Sequence, residues 1–285
     1  MRLSHLVLAI AFSSLSACSK SPADASPEPA AQSPSAEAQA PSAEAAAPAS
    51  ADSGAIEAAI ANTNRPASDR EQDSWRKADQ VLEFLGLEPG MHVLDYLAAG
   101  GYYTELMSYV VGPEGQVIAY NNPPYQKFSG EGPAKRYGND RLPNVEQVTA
   151  PTQDLALEPE SLDAALFVQT YHDLYWHPSD EEGKAAWPVL DPAQALAKLV
   201  PALKPGAVVV VVDHVAPAGS DPIETVDATH RIDPAVIKRD FEAAGLVFDA
   251  ESDVFRSPGD DHTKSVFDDS IRHKTDQVMY RFRKE

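Results

Sequence analysis

Residues 93–104, with the sequence VLDYLAAGGYYT, constrain the fold of this 285-residue chain more than any other stretch. They are typical of a short apolar strand that runs through a turn of small residues into the first turn of a helix. Small residues let a ligand approach the backbone, and a helix N-terminus offers free N–H groups and a positive dipole end. Open α/β folds hold nucleotide-like ligands by this arrangement, at the carboxyl end of the first strand.

The turn departs from the Gly-x-Gly-x-x-Gly spacing of a dinucleotide fingerprint. Leu97 and Ala99 occupy the places of the first two glycines, and Tyr102 occupies the third. The surrounding sequence supports the motif, because residues 92–120 run through strand, loop, helix, turn and strand within about 30 residues, the length of one βαβ unit.

Further strands are predicted downstream, at 145–148, 162–169, 207–212, 246–254 and 277–282. Strands and helices alternate first, which indicates a parallel sheet with right-handed crossovers. The last two strands follow each other without a helix between them, so we expect one antiparallel strand in a mostly parallel α/β sheet.

Helix boundaries are predicted from capping residues. Ser68 opens a capping box ahead of a helix that is predicted to run to Leu85. Asp191 and Asp233, each followed by proline, are predicted N-caps of later helices. Residues 125–143 are predicted to be rich in loops.

A lipoprotein signal peptide is predicted for residues 1–18. Arg2 supplies a positive n-region, and residues 6–12 form an apolar run too short to span a bilayer. The sequence LSAC then ends at Cys18, the only cysteine of the chain, and resembles the bacterial lipobox, whose cysteine is lipidated. Ser19 gives no inner-membrane retention signal, so we expect a lipid anchor on the periplasmic face of the envelope, at the outer membrane. An ordinary signal peptide with a chance cysteine is the alternative.

Residues 19–54 are predicted to form a disordered tether, because repeated Ala, Pro, Ser and Glu bury no apolar surface. The globular domain is predicted to span residues 55–285. The formal net charge of −20 argues against nucleic acid as a partner, since a phosphate backbone requires a basic face.

Over roughly residues 68–285 the chain resembles a class I S-adenosylmethionine-dependent methyltransferase. Residues 93–104 are similar to the first motif of that family, in which an acid opens a glycine loop, and residues 203–207 (LKPGA) are similar to its Leu-Lys-Pro-Gly-Gly before the fifth strand. More narrowly, GGYYT at 100–104, YHD at 171–173 and HRID at 230–233 resemble a group of exported bacterial methyltransferases. The resemblance implies a Rossmann-like seven-stranded sheet with helices on both faces, S-adenosylmethionine as cofactor, and a small-molecule or cell-envelope methyl acceptor.

The resemblance also implies cofactor contacts by position. Asp95 would organise the amino-acid end of the cofactor, and Gly100 and Gly101 would let the backbone pass its methionine portion. Asn121 stands where the family has an acid that binds the ribose hydroxyls, and Asp154 is a candidate for the adenine amine. The remaining predicted cofactor contacts are Ala99, Thr104 and Tyr171.

The end of the fourth strand faces the methyl group in this fold, and His172 and Asp173 lie there. Histidine has the pKa range of a general base, and a nearby acid orients it or binds substrate, so both are predicted to be catalytic. The alternative is that His172 caps the strand and Asp173 caps a short helix.

Further polar residues are predicted at the same edge of the sheet. His214, His230 and Arg231 are predicted to form the substrate-binding rim. A metal-dependent O-methyltransferase would need such groups around a divalent ion, but no spacing matches a known ligand motif and no metal is predicted.

A second interpretation belongs to a different class of protein: a non-catalytic envelope protein that binds another ligand on a degenerate methyltransferase fold. The departures at Leu97, Ala99 and Asn121 favour it. The predicted export favours it too, because S-adenosylmethionine is made in the cytoplasm.

Overall fold

The computed structural model describes residues 51–178, 182 and 187–285. Cys18, the predicted signal peptide and nearly all of the predicted tether lie outside these residues. Within the part of the chain that is described, no helix is both long enough and apolar enough to cross a membrane.

The centre of the fold is a seven-stranded sheet with the order β3-β2-β1-β4-β5-β7-β6. The strands are β1 (His92–Tyr96), β2 (Gln116–Asn121), β3 (Val145–Thr149), β4 (Leu162–Val168), β5 (Leu203–His214), β6 (Leu246–Ser252) and β7 (Gln277–Lys284). β7 runs antiparallel to both of its neighbours, and the other pairs are parallel. The predicted Rossmann-like α/β fold is confirmed.

Ten α-helices are described. They are α1 (Ser53–Ile60), α2 (Ala67–Arg70), α3 (Asp73–Arg76), α4 (Ala78–Leu85), α5 (Tyr102–Val111), α6 (Pro123–Ser129), α7 (Gly132–Tyr137), α8 (Pro192–Leu199), α9 (Pro222–Thr229) and α10 (Pro234–Ala243). Asp52 caps α1, which therefore begins at Ser53 rather than at the predicted domain start, Ala55. Short 3₁₀ turns lie at Thr152–Asp154, His172–Tyr175, Val200–Ala202 and Asp253–Phe255.

The side chains of β5 divide between two apolar cores because successive residues of a strand point to opposite faces. Val209 and Val211 pack with α8 and α10 on one face, while Val208, Val210 and Val212 pack with α1, α4 and α5 on the other. Helices thus cover both faces of the sheet. Its carboxyl edge remains open to polar side chains.

The single helix predicted from Ser68 to Leu85 is wrong. The chain forms α2, α3 and α4 instead, and Lys77 has a left-handed backbone between the last two, with φ 46°. The side chain of Lys77 donates to the carbonyl of Val254, and Arg65 forms an ion pair with Asp73 in the first part of the segment. These tertiary contacts stabilise the breaks between the three helices. The periodicity of the apolar residues does not reveal such breaks.

The prediction of a loop-rich segment at residues 125–143 is also wrong, because α6 and α7 lie there. Asn122 caps α6 by accepting from the N–H of Tyr125, and proline follows it at the first helical position. This is the signal by which Asp191 and Asp233 were predicted as N-caps, and both of those caps are present.

Candidate active site

A cavity of about 650 Å³ opens at the carboxyl ends of β1, β4 and β5. Asp95 and the loop 97–101 form one wall, and the side chains of His172, Asp173 and His230 form part of another. Small-molecule sites in proteins typically measure about 300–1,000 Å³ and lie at this edge of open α/β sheets. The cavity is therefore the candidate active site.

The loop after β1 adopts the conformation of a glycine loop although it lacks two of the glycines. Leu97 and Ala99 have left-handed backbones, with φ 56° and φ 49°. These two positions are those at which the dinucleotide fingerprint has glycine. A left-handed backbone costs an L-residue about 1–2 kcal/mol, so the surrounding structure must hold the loop.

Asn121, at the end of β2, is one of the residues that hold it. Its Nδ2 donates to the carbonyl of Ala99 at 3.0 Å, and its Oδ1 accepts from the N–H of Ala99 at 2.9 Å. The side chain is buried and does not line the cavity. Both ends of the amide are thus used by the loop, so Asn121 supports the loop and is not placed to bind ribose hydroxyls as predicted.

Arg136 of α7 holds the same loop from the other side. Its Nε donates to the carbonyl of Gly100 at 2.6 Å, and its Nη1 forms ion pairs with Asp69 and Glu105. Gly101 lies so close to α7 that an added Cβ would stand 1.9 Å from the hydroxyl oxygen of Tyr137. Gly100 is different, since an added Cβ there would meet nothing within 4 Å.

Asp95 lies under the loop and lines the cavity, although it is only 5% exposed. Thr104 donates to its Oδ2 at 2.5 Å, which gives Thr104 a supporting place behind Asp95. Burial raises the pKa of Asp95 to about 6, and the hydrogen bond from Thr104 only partly opposes this shift. A cationic ligand group in the cavity would favour the ionised carboxylate.

His172, just after β4, lies between two carboxylates. Its Nδ1 is 2.7 Å from Oδ1 of Asp213 and its Nε2 is 3.3 Å from Oδ1 of Asp173. Its backbone N–H also donates to Asp213, at 2.9 Å. Burial disfavours a charged ring, but the two carboxylates outweigh it and raise the pKa of His172 to about 9. Both ring nitrogens thus face a carboxylate, so His172 is held in place rather than left as the free general base that the sequence predicts.

Asp173 joins His172 to two further groups. The hydroxyl of Tyr125 donates to its Oδ2, and Nδ1 of His230 lies 3.6 Å from its Oδ1. Burial would raise the pKa of Asp173, but His172, His230 and Tyr125 outweigh burial and hold it below the ordinary value. The ring of His230 packs between Trp176 and Phe267, with centroid distances of 5.0 and 4.9 Å.

His214 lines the cavity and is neutral. Its Nδ1 lies 2.8 Å from Oγ1 of Thr275, and burial lowers its pKa to about 3. His214 therefore contributes a polar wall rather than a charge.

Besides Thr104 and Asn121, three further predicted site residues lie outside the lining of the cavity: Tyr171, Arg231 and Asp154. The hydroxyl of Tyr171 donates to Asp240 at 2.8 Å, so this side chain belongs to the core beneath α10. Arg231 is fully buried and forms an ion pair with Asp260 at 2.8 Å. Asp154 is exposed in the 3₁₀ turn after β3. The core holds Tyr171, an ion pair holds Arg231, and Asp154 faces solvent, so the structure does not bring these side chains to the candidate site.

Tyr125, Arg136 and Trp187 are among the lining residues that the sequence did not predict. The cap formed by Asn122 and Pro123 is a signal that could have located Tyr125 in the first turn of α6. Arg136 and Trp187 carry no comparable local signal, because their positions depend on how their segments fold back onto the sheet.

No protein-family model matches the chain, and no curated protein matches it either. Solved structures do share its fold. An S-adenosylmethionine-dependent methyltransferase from Aquifex aeolicus superposes with a TM-score of 0.52 at 19% identity, covering 81% of this chain and 98% of that one. A protein assigned as a sarcosine dimethylglycine methyltransferase from Galdieria sulphuraria gives 0.52 at 15% identity, covering 76% and 88%.

The cyclase SpnF gives a TM-score of 0.52 at 17% identity, covering 79% of this chain and 84% of its own. These similarities establish the methyltransferase-type fold of the chain. They do not establish its reaction, because one fold hosts several chemistries, as the cyclase among these structures illustrates.

Proposed function

We propose that this protein is an S-adenosylmethionine-dependent methyltransferase that acts on a small-molecule or cell-envelope acceptor. The observation that carries the proposal is the continuity of one cavity between the loop after β1 and the imidazole and carboxylate cluster after β4. One end suits the cofactor, and the other suits an acceptor. The structural neighbour from Aquifex aeolicus, which is a methyltransferase, supports the same assignment.

The lining of the cavity fits the methionine half of this cofactor, which carries an ammonium and a sulfonium cation. Asp95 supplies a buried carboxylate beside the loop, and the rings of Tyr125, Trp176 and Trp187 line the same space. Aromatic faces attract cations by about 0.5–2 kcal/mol, more when both are desolvated. The buried indole N–H of Trp187 finds no acceptor among the described residues, so it is available to a ligand.

The cofactor, when bound, supplies an electrophilic methyl group. The contribution of the chain is chiefly orientation, since an in-line transfer depends on how the acceptor is held. Asp173 and His230 line the acceptor end of the cavity, and Asp213 fixes the ring of His172 behind them. We assign to Asp173 and His230 the binding and orientation of a polar acceptor group.

Isothermal titration with S-adenosylmethionine and with its demethylated product tests the proposal. Both should bind the purified protein. Gly100→Leu should abolish this binding, because Gly100 lines the cavity and an added Cβ there has no protein atom within 4 Å. Gly259→Leu is the matched control, since its added side chain also has open space but lies away from the cavity.

Absence of heat with both compounds would contradict the proposal and favour the non-catalytic interpretation. Mass spectrometry of any small molecule that co-purifies with the protein from envelope fractions would then identify the class of ligand.

We also propose that Cys18 is lipidated and that the chain is anchored at the periplasmic face of the envelope. The LSAC sequence after a short apolar run supports this proposal. Cys18→Ser should release the protein from membranes into the soluble fraction, and retention of the variant on membranes would contradict lipid anchoring.

A further inference from the structure

Three potential ligand atoms converge in the cavity: Nε2 of His172, Oδ1 of Asp173 and Nδ1 of His230. All three lie within 4.8 Å of one another. The carboxylate oxygen is 3.3 Å from the first nitrogen and 3.6 Å from the second. Two ligands about 2.1 Å from a tetrahedral ion are themselves about 3.4 Å apart, so both distances match the edges of a metal tetrahedron.

Each of the three side chains is also oriented by a second contact. Nδ1 of His172 faces Asp213 at 2.7 Å, which leaves its Nε2 directed toward the cavity. The hydroxyl of Tyr125 engages Oδ2 of Asp173, which leaves Oδ1 for another partner. A carboxylate behind a histidine and a donor behind a carboxylate are the usual outer contacts of metal ligands.

The ring of His230 is held by packing rather than by a hydrogen bond. It lies between Trp176 and Phe267, and its backbone has a left-handed conformation with φ 53°. Such a conformation is uncommon for a non-glycine residue and persists where the surrounding structure enforces it, often at functional sites. The chain thus directs the imidazole of His230 toward Asp173.

We propose that His172, Asp173 and His230 bind one divalent transition-metal ion of the zinc class. Two imidazoles and one carboxylate suit Zn²⁺, Fe²⁺ or Co²⁺, whereas Mg²⁺ and Ca²⁺ prefer oxygen ligands alone. Three protein ligands leave at least one coordination position open, and all three line the cavity. The ion would act there as a Lewis acid on a polar ligand group. The inference does not rest on methyl transfer, because metal binding is measured on the resting protein.

Metal binding to the full chain tests the proposal. The protein is stripped with a chelator, dialysed against Zn²⁺ or Co²⁺, and analysed by elemental mass spectrometry and by the visible spectrum of the Co²⁺ form. We expect one ion per chain and a spectrum typical of four- or five-coordinate Co²⁺ with nitrogen and oxygen ligands. A thiolate charge-transfer band would overturn the assignment, because none of the three proposed ligands is a thiolate.

Variants identify the site. His230→Gln should weaken Co²⁺ binding at least about tenfold, because it removes a ligand. Asp213→Asn removes the carboxylate behind His172 and should weaken binding about 10–100-fold. His262→Gln is the matched control, because His262 also pairs with an aspartate, Asp276 at 3.1 Å, but lies outside the cavity. It should bind like the wild-type protein.

Folding of the variants is checked by the metal-induced shift in thermal unfolding. A ligand that binds only the folded state raises the unfolding temperature, so the wild type and His262→Gln should shift while His230→Gln should not. Unchanged stoichiometry in folded His230→Gln, or binding of Mg²⁺ as tight as that of Zn²⁺, would overturn the proposal. In that case the contacts of His172 with its two carboxylates alone hold the cluster together.

Discussion

The side-chain amide of Asn121 makes both of its hydrogen bonds to the backbone of Ala99, accepting from the N–H at 2.9 Å and donating to the carbonyl at 3.0 Å. This pairing resembles one rung of a sheet, and it fixes a loop residue that would otherwise favour another conformation. The end of β2 therefore stabilises the backbone conformation of the loop after β1.

Asn121→Ala should lower the free energy of unfolding by about 1–3 kcal/mol, since it removes two hydrogen bonds and leaves the partly buried N–H and carbonyl of Ala99 without this partner. Asn121→Asp should be similarly harmful, because a carboxylate cannot donate to the Ala99 carbonyl. Urea denaturation measures both, with Gln116→Ala, which loses only an exposed hydrogen bond to Glu146, as the control. Wild-type stability together with tighter cofactor binding in Asn121→Asp would show that this side chain does face the ribose.

Ala99→Gly should stabilise the protein. The left-handed backbone of Ala99 costs about 1–2 kcal/mol, and relief of that strain exceeds the entropic cost of glycine, about 0.5–1 kcal/mol. Ala98→Gly is the matched control, because Ala98 has an ordinary negative φ and should lose stability from the same substitution. The two variants should thus shift the urea midpoint in opposite directions, and a shift in the same direction would argue against strain at Ala99.

Asp95 should make the stability of the protein depend on pH. Its folded-state pKa of about 6 lies above the unfolded value of 3.8, so the folded state binds the proton more tightly. The resulting contribution is fully present below about pH 4 and is lost as the pH rises through about 6.

At about pH 8 the buried carboxylate therefore costs about 3 kcal/mol, at 1.36 kcal/mol for each pKa unit. Asp95→Asn keeps an acceptor for Thr104 without the charge, so it should exceed wild-type stability at about pH 8 and match it at about pH 4. Urea titrations at the two pH values measure the difference. Equal stability of the two proteins at the higher pH would contradict a raised pKa of Asp95 in the folded state.

Arg136 and its neighbour Lys135 offer a comparison of a buried and an exposed ion pair. Arg136→Ala should cost about 3–5 kcal/mol, because it leaves the buried carboxylates of Asp69 and Glu105 short of a partner. Lys135→Ala should cost less than about 0.5 kcal/mol, since its pair with Glu131 lies in solvent. Thermal unfolding monitored by circular dichroism distinguishes the two variants. Similar losses of stability would mean that the contacts of Arg136 with Gly100, Asp69 and Glu105 contribute little to stability.

The sequence by itself determined the architecture. The alternation of predicted strands and helices along the chain, including the apolar strand at 207–212, is sufficient to predict a mostly parallel α/β sheet. The N-caps at Asp191 and Asp233 were also predictable. These features depend on backbone geometry and on neighbours a few residues away, which a single sequence displays.

Only the tertiary structure decided which side chains and backbone groups meet at the carboxyl edge of the sheet. Asn121 holds the left-handed backbone of Ala99, and Arg136 holds the carbonyl of Gly100, although both lie in other segments. In the same way, Asp213 on the neighbouring strand holds the ring of His172, which meets His230 through the turn after α9. Charges and ligand geometry depend on distances across strands, and residues far apart in sequence set those distances when the sheet closes.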